Sequence, residues 1–154
     1  MKKILVTATA AFVALATLAG AEDAPFTSQI KARQGLMELN ALNIGVLAGM
    51  AKGETPYDAE KAKAAADALV GVYNLDLPML WPQGSDNSAN PATHALPAIW
   101  ADGSDIGAKV ENWEKAALAM QAAAGKDLDS LKGAMNDLGG ACGACHKAFR
   151  ASMQ

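Results

Sequence analysis

Residues 128–149 read LDSLKGAMNDLGGACGACHKAF, and their spacing decides the fold. Leu128, Leu131, Met135, Leu138, Cys142, Cys145 and Phe149 recur at alternating intervals of three and four. That period belongs to a helix laying one stripe against partner helices in a bundle. Asp127 stands where a capping residue opens such a helix. Both thiols fall on the inward stripe, and His146, at i+4 from Cys142, belongs to the same turn. Gly139 and Gly140 lie one turn earlier. Mid-helix glycine costs on the order of 1 kcal/mol relative to alanine, so a pair of them is expected where something flat needs room.

Cys142-Gly143-Ala144-Cys145-His146 is the attachment pattern for a c-type haem. Each sulfur can form a thioether to a vinyl group and the imidazole can ligate the iron. Other chemistries compete for the same residues. A zinc site needs four ligands, and the chain offers only these three and the distant His94. A thioredoxin-like thiol pair calls for a strand within a βαβ unit, whereas the surrounding pattern is helical. A disulfide between i and i+3 on one helix suits the bond's dihedral poorly and closes a trivial loop.

The N-terminus carries an address. Lys2 and Lys3 precede an apolar run from Ile4 to Leu18, and Ala19-Gly20-Ala21 supplies a small-x-small cleavage pattern. Residues 1–21 are read as a removed secretory signal, leaving a single domain at 22–154 and the periplasm as the expected compartment. Export suits a haem attached outside the bacterial inner membrane. Without Lys2 and Lys3 the chain has 11 basic against 16 acidic residues, a net charge of −5. An acidic chain without a Lys/Arg cluster is not expected to bind nucleic acid, and no later apolar stretch is long enough to span a bilayer. No acid/base pair, Ser/His/Asp set or phosphate-cradling loop suggests an enzyme acting on an organic substrate.

Three further helices are expected. The first runs from Ile30 to about Met50, with Thr27 or Ser28 as cap and Ile30, Met37, Ile44 and Leu47 on one face; it weakens through Gly45 and Gly49 and stops at Lys52-Gly53. Arg33 shares that face with Met37 and either meets an anion there or snorkels its head to solvent. The second opens with a Thr55 cap, Pro56 at the first helical position and Asp58 near the positive end. It runs to about Tyr73, and its many alanines suit close packing, within the molecule or between subunits. Pro78, Pro82, Pro91, Pro97 and a Ser/Asn/Asp cluster make Leu75–Asp102 a long loop, with Trp81 and Trp100 as apolar anchors. His94 lies in it, as a solvated residue or one touching the haem edge. A Ser104 cap starts the third helix, whose seam is Ile106, Val110, Trp113, Ala117 and Met120, ending at Gly125. The fold class is all-α: an antiparallel four-helix bundle with a long crossover between its second and third helices, and the cofactor inside.

These residues resemble the class II c-type cytochromes, cytochrome c′ and its low-spin c-556-type relatives. The resemblance rests on the haem motif near the C-terminal end, Arg33-Gln34-Gly35-Leu36-Met37, the run from Ala51 to Asp58, and Pro97-Ala98-Ile99-Trp100. It implies one haem c held by thioethers from Cys142 and Cys145, with His146 as proximal iron ligand. It also implies Arg33 and Gln34 near the haem propionates and Met37 over the distal face. An acidic loop residue common in the family is replaced here by Thr93 or His94. Two roles follow from the resemblance. If Met37 ligates the iron, the protein is a one-electron carrier; if Met37 only packs over a five-coordinate iron, it binds nitric oxide or carbon monoxide. The negative surface favours basic redox partners. A homodimer through the first two helices is implied as well, and Gly45, Ala48 and Gly49 suit it.

Overall fold

The computed structural model describes residues 24–75 and 77–152. The expected signal at 1–21 lies outside them. Among the described residues there are four α-helices, α1 (Thr27–Ala51), α2 (Ala59–Tyr73), α3 (Ile106–Ala124) and α4 (Leu128–Phe149), with short 3-10 turns at Pro78–Leu80 and Pro97–Trp100. Each packs on the next, and α4 closes back onto α1. No helix among the described residues is long and apolar enough to cross a membrane.

The helix starts follow capping chemistry, with three shifts from the sequence expectation. In α1 the capping position is Phe26, in a left-handed conformation at φ 61°, and neither Thr27 nor Ser28 caps it. Thr27 instead donates its hydroxyl to the Ala24 carbonyl at 2.6 Å. At its other end α1 continues through Gly45 and Gly49 to Ala51 and stops at Lys52-Gly53 as expected, with Gly53 at φ 75°; a positive φ is where glycine carries no steric penalty. Asp58, not Thr55, caps α2: its carboxylate accepts the Lys61 amide N–H at 3.0 Å. At α3 the Ser104 hydroxyl accepts from the Ile106 amide at 3.4 Å, while Asp105 pairs with Lys109 at 3.1 Å. Asp127 caps α4 as expected, accepting from the Ser130 amide at 2.7 Å.

These caps make stability depend on acid. Asp58 and Asp127 are held below the usual carboxylate range, chiefly by the backbone N–H each accepts. A carboxylate with a lowered folded pKa contributes fully above its unfolded value of about 3.9 and loses that contribution as pH falls through the folded value. Changing both to Asn, which caps nearly as well, should leave the melting temperature near pH 7 almost unchanged. It should also flatten the decline below about pH 4, measured by thermal melts across pH.

The buried core is built from Leu47 and Met50 of α1, Ala62, Ala65, Ala66 and Leu69 of α2, Ala116, Ala117, Met120 and Ala124 of α3, and Leu131 and Leu138 of α4. The alanines of α2 therefore serve intramolecular packing. Tyr57 fastens this end by donating its hydroxyl to the Ala124 carbonyl at 2.8 Å.

The opposite end gathers the N-termini of α1 and α3 with the C-termini of α2 and α4, and the long α2–α3 connection caps it. The Asn87 amide donates to the Ala95 carbonyl at 2.8 Å and Leu96 to Phe149 at 2.9 Å; Ala151 donates to the His94 carbonyl at 2.8 Å. The loop thus holds the chain leaving α4. Asp86, Asn90 and Thr93 each accept the amide N–H two residues ahead, from Ser88, Ala92 and Ala95. Such local bonds let polar backbone pack without a sheet or helix. Trp81 and Trp100 sit with ring centroids 6.4 Å apart, and the Trp100 indole donates to the Trp81 carbonyl at 3.1 Å.

Candidate haem site

Along α1 the inward face runs Ile30, Arg33, Met37, Asn40, Ile44, Leu47. Ile30 and Arg33 are buried, as are Asn40 and Leu47, but Met37 between them is 47% exposed. The same interruption recurs on α4. Leu131 and Leu138 are buried and so is Phe149, while Cys142, Cys145 and His146 between them are half-exposed. Val110 on α3 is exposed too. Neighbouring antiparallel helices rise 1.5 Å per residue, and the loop ties the start of α1 to the end of α4. Counting from Ile30 and Phe149 therefore sets Met37 roughly opposite Cys142 and Asn40 roughly opposite Gly139. Gly139, Gly140 and Gly143 are exposed on α4, so none of them carries a side chain beside this level. The bundle is thus packed below, packed above, and open across one apolar level that contains both thiols and the imidazole. A flat macrocycle fits that gap, and the residues around it suit haem c.

The thiols form no disulfide. Burial pushes both above the ordinary thiol range; at Cys142 a hydrogen bond from the Trp113 side chain pulls partly back. At Cys145 the neighbouring Cys142 adds to the rise, and Lys109 opposes it. Thiols kept protonated make poor thiolate nucleophiles, which removes support from a redox pair. Among the described residues no group of three His, Cys, Asp or Glu side chains could hold a metal ion, which removes support from zinc. His146 is lowered first by burial, then by the charge of Arg150. A neutral imidazole is the form that ligates a metal. Trp113 and Tyr73 wall the same level, their rings 6.0 Å apart.

Arg33 does not snorkel. It is 4% exposed and donates from Nη1 to the Ser85 hydroxyl at 2.7 Å, and from Nη2 to the Ser85 carbonyl at 2.8 Å and the Thr93 hydroxyl at 3.4 Å. Its guanidinium lies 4.6 Å from the Trp81 ring centroid, within cation–π range. Gln34 donates its side-chain amide to the Ala92 carbonyl at 2.7 Å, and Asn90 donates to Pro25 at 2.8 Å. Arg33 and Gln34 thus clamp the loop over the gap. The sequence pointed to Arg33 and Gln34 as haem neighbours but not to their loop partners, Ser85 and Thr93 for Arg33 and Ala92 for Gln34; the three short-range acceptors in this polar run were the available signal. His94 keeps its imidazole at the surface while its carbonyl anchors Ala151. Arg33→Ala should cost roughly 2–4 kcal/mol, since charge-assisted bonds are lost and buried acceptors left unpaired. Hydrogen exchange at the Asn87 and Leu96 amides should quicken in step, checked by exchange mass spectrometry alongside denaturant unfolding.

Between the outer faces of α3 and α4 lies a groove of about 490 Å³ lined by Lys109, Lys115, Ala141 and Ala144 among others. It faces away from the stripe carrying the thiols and belongs to the surface.

A four-helix bundle with CxxCH on its last helix and an apolar gap at that level defines a c-type cytochrome of the helical-bundle class. Residues 28–150 match the family described as Cytochrome C′, and the chain belongs to that family. It is 50% identical over 121 residues to cytochrome c-554 of Cereibacter sphaeroides, covering 79% of each chain. It is 40% identical over 147 residues to cytochrome c′ of the same organism, covering 96% of this chain and 95% of the relative. The structure of cytochrome c′ from Rhodobacter Spheriodes superposes with a TM-score of 0.80 at 38% identity, over 84% of this chain and all of that one. A variant of cytochrome c prime from Alcaligenes xylosoxidans, solved in the ferrous state with bound NO, gives 0.72 at 30% identity, over 86% and 100%. Haem c, attached through Cys142 and Cys145, is the cofactor of this chain.

Proposed function

We propose that this cytochrome is an exported, periplasmic one-electron carrier in which His146 and Met37 approach the iron from opposite faces. The observation carrying the reading is Met37. It is the one residue of the inward face of α1 left uncovered between buried neighbours, at the level of Cys142. Its thioether is unbranched and flexible, the side-chain chemistry that would supply a sulfur ligand to the iron. Haem supplies the one-electron couple, and methionine–histidine ligation raises its potential. The chain's own residues set the rest. His146 is kept neutral for ligation, Trp113 and Tyr73 exclude water, and Arg33 retains Nε and one Nη1 hydrogen for a propionate. Gln34, with its amide given to Ala92, acts in this reading through the loop.

The test is the visible spectrum of the oxidised protein. Low-spin haem with the weak sulfur-to-iron charge-transfer band at the red end supports the carrier. High-spin haem without that band supports the second reading, a module for nitric oxide or carbon monoxide, which the NO-bound relative favours.

The partners proposed are redox proteins with basic surfaces, drawn by the net charge of the mature chain. A second copy of the chain is proposed to cover Leu39, Leu42 and Val46, exposed on the outward side of α1. Analytical ultracentrifugation of the haem-loaded protein at micromolar concentration checks this, with a monomer as the opposing result.

A further inference from the structure

Asn40 sits on the inward face of α1, one turn after Met37, and is 9% exposed. Among the described residues its Oδ1 is the buried side-chain polar atom with no hydrogen-bond partner in the protein. Its neighbours on that face are apolar: Met37, Ile44 and Leu47. By the antiparallel register Gly139 of α4 lies at roughly the same height, and it brings no side chain to this level. A buried carbonyl left unpaired costs about 1–3 kcal/mol, and an apolar residue of the same size would avoid that cost. The packed core ends at this level, with Leu138 buried on one side and half-exposed Cys142 on the other. The buried acceptor therefore stands one turn from exposed Met37, at the edge of the uncovered level.

We infer that Asn40 is the polar group of the distal side, and that its Oδ1 holds one small hydrogen-bond donor, water in the resting protein, beside Met37. A water so held donates one hydrogen to Oδ1 and would leave its oxygen as the polar atom on the haem side. That orientation stabilises the more positive, oxidised cofactor, since distal-pocket polarity is one of the protein's levers on potential. The inference rests on haem occupying the gap, not on whether Met37 ligates the iron. A holoprotein of correct colour and mass establishes the first independently.

The test uses the haem-loaded protein, wild type beside Asn40→Leu and Asn40→Asp. A crystal structure of the wild type should show an ordered water about 3 Å from Oδ1. Asn40→Leu, near in volume but without an acceptor, should lose that water and shift the one-electron equilibrium about threefold or more towards the reduced form. Asn40→Asp keeps the acceptor and should shift it the other way. A dry site in the wild type overturns the inference. So does a Leu variant with unchanged potential and a raised melting temperature, the behaviour of an amide that only fills space. Should the Leu variant fail to load haem, the wild-type water and the sign of the Asp shift decide on their own.

Discussion

Replacing Cys142 and Cys145 together by alanine should give a chain that releases all of its haem on denaturation, whereas the wild-type chain keeps haem through denaturing separation and weighs more than its amino acids. Thioethers survive unfolding, and coordination by His146 does not. The expected loss is complete, read by mass spectrometry of the denatured protein and by haem-stained gels. Single replacements should keep one thioether and retain most of the haem. The double variant should also be less stable. Met37 and Val110 are left exposed at the level of the motif, so the cofactor would supply packing there that side chains do not. A haem bound only by coordination can dissociate. A ligand present at a thousand times its dissociation constant contributes about 4 kcal/mol, and the double variant loses up to that amount on dilution. A wild-type chain that is colourless after denaturation would remove the covalent assignment.

The bundle was legible because the three-four alternation on α3 and α4 is long and unbroken, and because Gly125 and Asp127 punctuate the turn between them. The first two helices were legible in kind but less so at their ends. Thr55-Pro56 looks like a start, yet the chain remains extended until Asp58, whose carboxylate can reach the Lys61 amide. Proline at the first helical position is a preference, and a well-placed carboxylate overrode it. Gly45 and Gly49 looked like a weakening before the stop at Lys52-Gly53. The helix runs through both to that stop, with Leu47 and Met50 beside them buried in the core. The haem motif was legible because its chemistry is local: two thiols and an imidazole within five residues. The clamp was not. Arg33 meets Ser85 and Thr93 across more than fifty residues of chain, and spacing carries no record of such contacts. Asn40 escaped for a related reason. A polar residue on an inward stripe reads as a defect until its neighbours are known to be half-open.

Met37→Leu should convert the protein from a six-coordinate to a five-coordinate cytochrome if the carrier reading holds. Leucine and methionine have similar volume, and such swaps usually cost under about 1.5 kcal/mol; Met37 is also 47% exposed, which lowers the cost further. A spectral change without a large fall in melting temperature therefore reports lost ligation and not lost fold. The charge-transfer band should vanish, the ferric spectrum should turn high-spin, and the potential should drop, because methionine ligation is what raises it. Carbon monoxide affinity of the ferrous form should rise by about a hundredfold or more. When the binding-competent, methionine-free state is only about 1% populated, apparent affinity is lowered by that fraction, and removing the sulfur removes the handicap. Met37→Ala should behave alike with a larger distal space and still faster association. If the wild type is already high-spin and the leucine variant binds carbon monoxide no more tightly, Met37 is only a lid over the iron. The same helix face then serves a gas-binding site, with the buried, unpaired Asn40 amide one turn from Met37 on it.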